Sequence, residues 1–384
     1  MGVDAEFRTV AFCQELVRLE SLSGQEQAVA EAVEREMHSL GYDEVRRDEM
    51  GSIVGIVRGT RPGGSLVFDA HMDVVPATEP EAWTHPPFSG VEADGRIWGR
   101  GATDIKGSLA ALVVAIGTLP RAEFAGTIVV SSSVAEERVE GLATTHVLER
   151  HPAQAVVICE PTGLKLGLGH RGRASVVVEA AGKAAHTSRP ENGINAVYRL
   201  TEAIARIRAM PRRPDALLVH GHIELVEISS QPYPGSSMVP YHATARFDRR
   251  LVRGETRDSV LGEIRAALAG LEGVSAYLHP GELHCYTGRD FAIEAFHPGW
   301  AIAPDSELAL RARRALERDG LAHEFYYAPY CTNGSATAGE LGIPTLIYGA
   351  GDISAAHAID ESVEVAELVA AGRGYQSLAR GLAG

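Results

Sequence analysis

Four short, almost continuously apolar segments, Ile53–Val57, Ser65–Phe68, Thr127–Val134 and Ala155–Cys159, recur through the first half of the chain between Gly and Pro. Stretches with helical periodicity separate them. Val29, Val33, Met37 and Leu40 line one face, and Leu109, Leu112, Val113, Ile116 and Leu119 line another. A strand that is apolar on both sides has to be covered on both faces. Alternation with helices therefore leaves little but an α/β layered fold. The helix around Val29 is expected to start at a capping box, Ser23-Gly24-Gln25-Glu26.

The middle of the chain changes order. From about Ala174 to Leu278 it runs strand (Ser175–Glu179), helix (Val197, Leu200, Ile204, Ile207), two strands (His222–Ile228 and Met238–Phe247), helix (Leu261, Ile264, Leu268, Leu271) and strand (Ser275–Leu278). This β-α-β-β-α-β order is the ferredoxin-like split βαβ unit. Gly172 before it and Tyr286–Pro304 after it mark boundaries. The α/β pattern then resumes with a helix around Leu308–Leu316, a strand at Thr345–Tyr348 and a last helix carrying Val365, Leu368, Val369 and Tyr375. With 384 residues, too many for one ordinary core, the expected organisation is a three-layer α/β/α domain in two segments, 1–173 and 285–384. An α+β domain over 174–284 interrupts it.

Composition excludes several partners. Lys+Arg 36 against Asp+Glu 50 gives a net charge of −14, which argues against nucleic acid or an anionic membrane as the main partner. No apolar run approaches the ~20 residues of a membrane span. Met1–Glu6 has neither the basic nor the apolar region of a signal peptide. Cys13, Cys159, Cys285 and Cys331 are scattered without CxxC spacing and read as reduced thiols. A cytoplasmic two-domain enzyme is the expectation.

The polar clusters share one property: they fall just after apolar strands, where open α/β sheets carry their sites. Ser65–Phe68 runs into Asp69-Ala70-His71-Met72-Asp73, Thr127–Val134 into Ala135-Glu136-Glu137, and Ala155–Cys159 into Glu160-Pro161. Leu346-Ile347-Tyr348 leads through Gly349-Ala350-Gly351 to His357, and Asp104 stands just before the helix that starts near Lys106. Singly, each has an ordinary structural reading: a satisfied His, a solvated Glu pair, a helix N-cap, a turn before Pro. Jointly, imidazoles and carboxylates at one sheet edge cannot stay dry and unpaired. A divalent metal resolves the conflict, and a His/carboxylate set without Cys suits zinc, cobalt or manganese. Five side chains suffice for two ions if one carboxylate bridges them, a standard hydrolytic arrangement. The chain has no HExxH, Walker A loop or GxSxG elbow, and Gly99-x-Gly101 lacks a third glycine.

These residues resemble a known family. Asp69-Ala70-His71-Met72-Asp73-Val74-Val75-Pro76, Trp83…Pro87-Phe88, Gly99-Arg100-Gly101-Ala102-Thr103-Asp104-Ile105-Lys106-Gly107, Glu136-Glu137, Glu160-Pro161-Thr162 and His357 are similar to the motifs of the acetylornithine deacetylase / succinyl-diaminopimelate desuccinylase / aminoacylase / glutamate carboxypeptidase family of dinuclear metallohydrolases. Asp248-Arg249-Arg250-Leu251…Gly254-Glu255-Thr256 and Cys331-Thr332-Asn333-Gly334…Gly342-Ile343-Pro344 most resemble its YgeY-type branch.

The resemblance implies that Asp104 bridges two ions, with His71 and Glu160 on one and Glu137 and His357 on the other. It makes Asp73 the residue that orients His71, and Glu136 the general base that shuttles a proton from the attacking water to the leaving amine. It also implies a cis peptide between Asp104 and Ile105. Gly182-Lys183-Ala184-Ala185-His186-Thr187-Ser188…Pro190…Gly193…Asn195-Ala196 matches the family's lid motif, whose His reaches across a dimer interface to the oxyanion of the neighbouring site. Arg250 matches a lid Arg that grips a substrate carboxylate, and Asn333 and Gly334 are expected to contact substrate. Ser237-Met238-Val239-Pro240 departs from the family by lacking the Asn that often precedes Val-Pro, and Ala70 stands where Gly is usual. The expected protein is a homodimeric, two-metal amidohydrolase acting on a small carboxylate-bearing amino-acid derivative, with zinc as the first metal. The alternatives are hydrolysis of another C–N bond, such as a ureido group or aryl amine, and a non-catalytic binding protein.

Overall fold

A computed structural model describes residues 1–235 and 237–383. The chain forms two compact units, one of Met1–His170, Leu283–Phe291 and Ala301–Gly384, the other of Arg171–Glu282 and Ala292–Trp300.

The first unit is built on a mixed sheet in which seven of the nine strands lie in the order Glu44–Arg47, Ile53–Arg58, Ala125–Ser133, Arg61–His71, Ala155–Ile158, Thr345–Ile347, Leu166–His170. Its centre is parallel: Arg61–His71 pairs in parallel with Ala125–Ser133 and Ala155–Ile158, and Ala155–Ile158 with Thr345–Ile347. Alternate side chains explain the continuous apolar runs. Val67, Val129, Val156 and Ile158 pack with Val147 and Leu148 of the helix Leu142–Arg150. Phe68, on the other face, meets Tyr375 of the helix Val365–Leu382 edge-on at 6.0 Å. Helices thus cover both faces. The helix Gly107–Gly117 is apolar all round and lies buried among neighbouring helices, Val3–Arg18 and Val365–Leu382 among them.

The capping box is corrected by the structure. The helix starts at Gln27, with no side-chain hydrogen bond from its N-cap, Glu26. The two residues that would have made the box are engaged elsewhere: Ser23 donates to Asp73 Oδ2 at 2.6 Å, and Glu26 Oε1 accepts from the Ala135 N–H at 3.1 Å.

In the second unit the antiparallel order His222–Gln231, His242–Leu251, Gly172–Ala181, Val274–Leu278 carries the helices Ala196–Arg208 and Arg257–Ala267 on its apolar face. The chain order is β-α-β-β-α-β. Along His242–Leu251 residues alternate between buried and half-buried, as in a sheet with one covered face. Asn195 caps the first helix by accepting from Val197 N–H, and a Thr256/Ser259 capping box starts the second. The segment Ala292–Trp300 also belongs to this unit, because Phe296–His297 pairs with the strand Gly172–Ala181 and Phe296 enters its core. No helix among the described residues is long and apolar enough to cross a membrane.

Candidate metal centre

The parallel strands of the first unit deliver their polar ends to one edge. His71 closes its strand, Glu136 and Glu137 follow Ala125–Ser133, Glu160 follows Ala155–Ile158, and His357 follows Thr345–Ile347. Asp104 sits in the turn before the helix Gly107–Gly117, and the Asp104–Ile105 peptide is cis, as the resemblance implied. His71 Nε2 lies 3.1 Å from Asp104 Oδ1, 3.7 Å from Glu160 Oε1 and 3.9 Å from Glu136 Oε2. His357 Nε2 lies 3.3 Å from Asp104 Oδ2 and 3.1 Å from Glu137 Oε1. Two groups could each hold an ion, His71/Asp104/Glu137 and His71/Glu136/Glu160. Apart from half-exposed His357, these side chains are largely buried.

His71 Nδ1 lies 2.9 Å from the Asp73 carbonyl oxygen and 3.5 Å from its carboxylate. Donation from Nδ1 to that carbonyl leaves the Nε2 lone pair facing carboxylate oxygens, which only a proton or a cation can satisfy. The titration behaviour expresses the same conflict. Burial works to lower the His71 pKa, yet hydrogen bonds to Asp104 and Asp73 and the charges of Glu160 and Glu136 hold it well above the ordinary imidazole value. His357 is raised to about 10 by Asp104 and Glu137. Burial pushes Glu136 and Glu160 well above the carboxylate range, and burial together with Asp104 pushes Glu137 up to about 7. The donor set fits divalent ions of the zinc class.

The loop carrying Glu136 and Glu137 is held by other acids, which the sequence reading missed. Asp73 accepts from the Glu136 and Glu137 N–H groups at 3.0 and 3.1 Å, besides the Ser23 hydroxyl. Glu26 holds the preceding N–H, that of Ala135. Asp73 therefore orients His71 chiefly through its carbonyl and spends its carboxylate on the loop. The only sequence signal for Ser23 and Glu26 was polarity before a helix, which pointed to a cap.

Asn333 and Gly334 lie within the first unit. Both are buried. The Asn333 amide donates to Asp69 Oδ2 at 2.7 Å and to Ser133 Oγ at 3.2 Å, and its oxygen accepts from the Gly141 N–H. The Gly334 N–H is taken by Thr332 Oγ1 at 2.9 Å. Both Asn333 amide hydrogens and the Gly334 N–H are thus taken within the protein, and these bonds brace the sheet edge. In the second unit His186 is exposed, and its Nδ1 accepts from the Ser188 N–H at 3.1 Å. That bond leaves the neutral ring's proton on Nε2. Arg250 pairs with Asp248 at 3.0 Å on the half-exposed face of its strand.

A pH prediction follows from the buried acids. Glu137 and Glu26 are each raised to about 7 from 4.5, chiefly by burial. Between those values the folded state of the metal-stripped protein binds more protons than the unfolded one, so stability falls as pH rises. The raised imidazoles act in the same direction, because their contribution is complete below about 6.5 and fades at higher pH. Scanning calorimetry of metal-stripped protein is expected to give a lower Tm at pH 7.5 than at pH 5, and added Zn²⁺ is expected to close the gap.

The sequence model described as peptidase family M20/M25/M40 matches residues 67–381. An uncharacterised protein of Escherichia coli K12, YgeY, is 30% identical over 96% of this chain and 92% of its own. A succinyl-diaminopimelate desuccinylase of Cereibacter sphaeroides is 28% identical over 94% of each chain. The crystal structure of YXEP from Bacillus subtilis, a dinuclear metal-binding peptidase of the M20 family, superimposes with a TM-score of 0.72 at 16% identity, covering 99% of this chain and 98% of that one.

Proposed function

The chain belongs to peptidase family M20/M25/M40, and from that premise we propose a two-metal amidohydrolase that cleaves an N-acyl or peptide-like bond of a small, carboxylate-bearing amino-acid derivative. One observation carries the two-metal reading: the two oxygens of Asp104 face different imidazoles, His71 at 3.1 Å and His357 at 3.3 Å. A carboxylate so placed is suited to bridging. His71 and Glu160 would hold one ion, Glu137 and His357 the other, with zinc, cobalt or manganese all acceptable to these donors.

The bound ions would acidify a water and polarise the substrate carbonyl. Glu136 is the group left to take the water's proton and pass it to the leaving amine as the C–N bond breaks. His186, its proton on Nε2, is suited to donate to the oxyanion. Arg250 would exchange Asp248 for the substrate carboxylate, a partner matched to the guanidinium fork.

We assign the working form as a homodimer. The strand His222–Gln231 is the outer strand of its sheet and exposes Leu225, Val226 and Ile228. An apolar edge of this length invites pairing, and a second copy would cover it. Sedimentation is expected to give a dimer for the wild type and a monomer for Ile228→Lys; a monomeric wild type would sink the assignment. Cys13, Cys159, Cys285 and Cys331 form no disulfide, which supports a reducing, cytoplasmic setting.

The substrate test is a pooled assay read by mass spectrometry. N-acyl, succinyl and carbamoyl amino acids and dipeptides are incubated with Zn²⁺-, Co²⁺- or Mn²⁺-loaded protein and with chelated protein. Amide cleavage that chelation abolishes is the expected result and names the acyl group. Cleavage confined to the carbamoyl pool would move the activity to ureido bonds, and turnover indifferent to chelation would refute the reading.

A further inference from the structure

Glu361 is buried beside the site and is neither one of the proposed ligands nor the proposed base. One of its oxygens accepts from the Thr103 and Asp104 N–H groups, both at 3.0 Å, while the other is paired with buried Arg100. Burial and the nearby Asp104 charge both work against ionising this acid. Arg100 lies over the Trp83 ring, 5.3 Å from its centroid. Two further bonds run between the same segments: Gly99 N–H to the Glu361 carbonyl at 2.8 Å, and Thr103 Oγ1 to the Ser362 carbonyl at 2.9 Å. A buried ion pair is poor evidence for stability, because desolvation offsets its attraction. What distinguishes this one is the position of its free acceptor, on the backbone of the residue whose side chain faces both imidazoles.

We propose that Glu361, clamped by Arg100, is a positioning residue that fixes Asp104 relative to His357 and thereby sets affinity for the ion on the Glu137/His357 side. The inference rests on the two-metal reading. Glu361 stands four residues after His357, so its bonds to Thr103 and Asp104 tie the segment carrying one ligand to the turn carrying another. His71 and Glu160 are carried on other strands and do not depend on this tie. Asp104 serves both ions, but the tie joins it only to the segment that carries His357, so loss of the acceptor weakens chiefly the binding step on that side, by the ~10–100-fold usual for groups that orient ligands.

Two double variants isolate the acceptor. R100M/E361M and R100M/E361Q both remove the buried ion pair, but only Gln keeps an oxygen for the Thr103 and Asp104 N–H groups. Each is titrated with Co²⁺ by calorimetry and examined by electron paramagnetic resonance for the spin-coupled pair, with Tm as the folding control. R100M/E361M is expected to lose one binding step and the coupled signal at stoichiometric Co²⁺, whereas R100M/E361Q keeps both within about threefold. Two wild-type-like steps in both variants, or equal loss in both, would overturn the proposal. Should R100M/E361M not fold, E361D serves, since it keeps both charges and withdraws the carboxylate by one methylene; unchanged binding there would also overturn it. A wild type that takes up fewer than two ions would instead defeat the two-metal reading.

Discussion

Glu136→Gln is expected to lower kcat by about 10² to 10⁴-fold, the range for loss of a general acid–base group, with both ions still bound. The substitution keeps the side chain's volume and removes only its capacity to accept a proton. It is decisive because the geometry offers Glu136 two roles. Its Oε2 lies 3.9 Å from His71 Nε2, and with His71 and Glu160 it forms a group able to hold an ion. A ligand would take its ion with it when neutralised; a base would not. Metal content measured beside turnover separates the two. An ion lost from Glu136→Gln would make Glu136 a ligand and leave Glu160 to be tested as the base, while turnover within threefold of wild type would remove Glu136 from the reaction. The loop carries its own control in Glu137→Gln. Glu137 Oε1 is 3.1 Å from His357 Nε2, so that variant is expected to lose an ion together with activity.

The environment suits Glu136 to a base's task. Burial and the charges of Glu160, Glu140 and Glu137 raise its pKa, against the opposing pull of His71. A carboxyl with raised proton affinity takes a proton readily. Its main chain is also fixed, since Asp73 accepts from the Glu136 N–H. A base that would meet first a water and then an amine nitrogen gains from a stationary backbone.

What the sequence disclosed divides along the range of the interactions. The alternation of apolar strands and helices is local, and it pointed to the layered unit and the β-α-β-β-α-β unit. The rule that α/β sites lie past strand ends brought His71, Glu136, Glu137, Glu160 and His357 to one edge before any distance was known. The partners of those residues were not legible, because they lie far along the chain. Asp73 bonds the backbone of Glu136, 63 residues away, and Asn333 bonds Asp69 across 264 residues. Local pattern assigned Ser23 and Glu26 to a helix cap, and tertiary bonds claimed both. Asn333 shows the same reach, since no local pattern announces its bond to the buried Asp69 carboxylate.

His186→Ala is expected to lower turnover by about 10² to 10³-fold, as for removal of one oxyanion donor, with ion binding unchanged. The ring is prepared for that task, since the Ser188 N–H occupies Nδ1 and leaves the proton on Nε2. His186 is expected to serve the partner's site, and a mixed dimer tests this without depending on any single rate. Chains carrying His186→Ala keep Glu136, and chains carrying Glu136→Gln keep His186. If donation crosses the interface, a heterodimer of the two has one site with both groups and one with neither. Purified heterodimers, selected by different tags, are then expected to recover about half of wild-type turnover per dimer, and an unsorted equal mixture about a quarter. If His186 serves its own chain, every site in the mixture lacks one group and no activity returns. Recovery with ion content constant would place the donor in the partner chain, whereas a heterodimer as inactive as its parents would confine catalysis to one protomer.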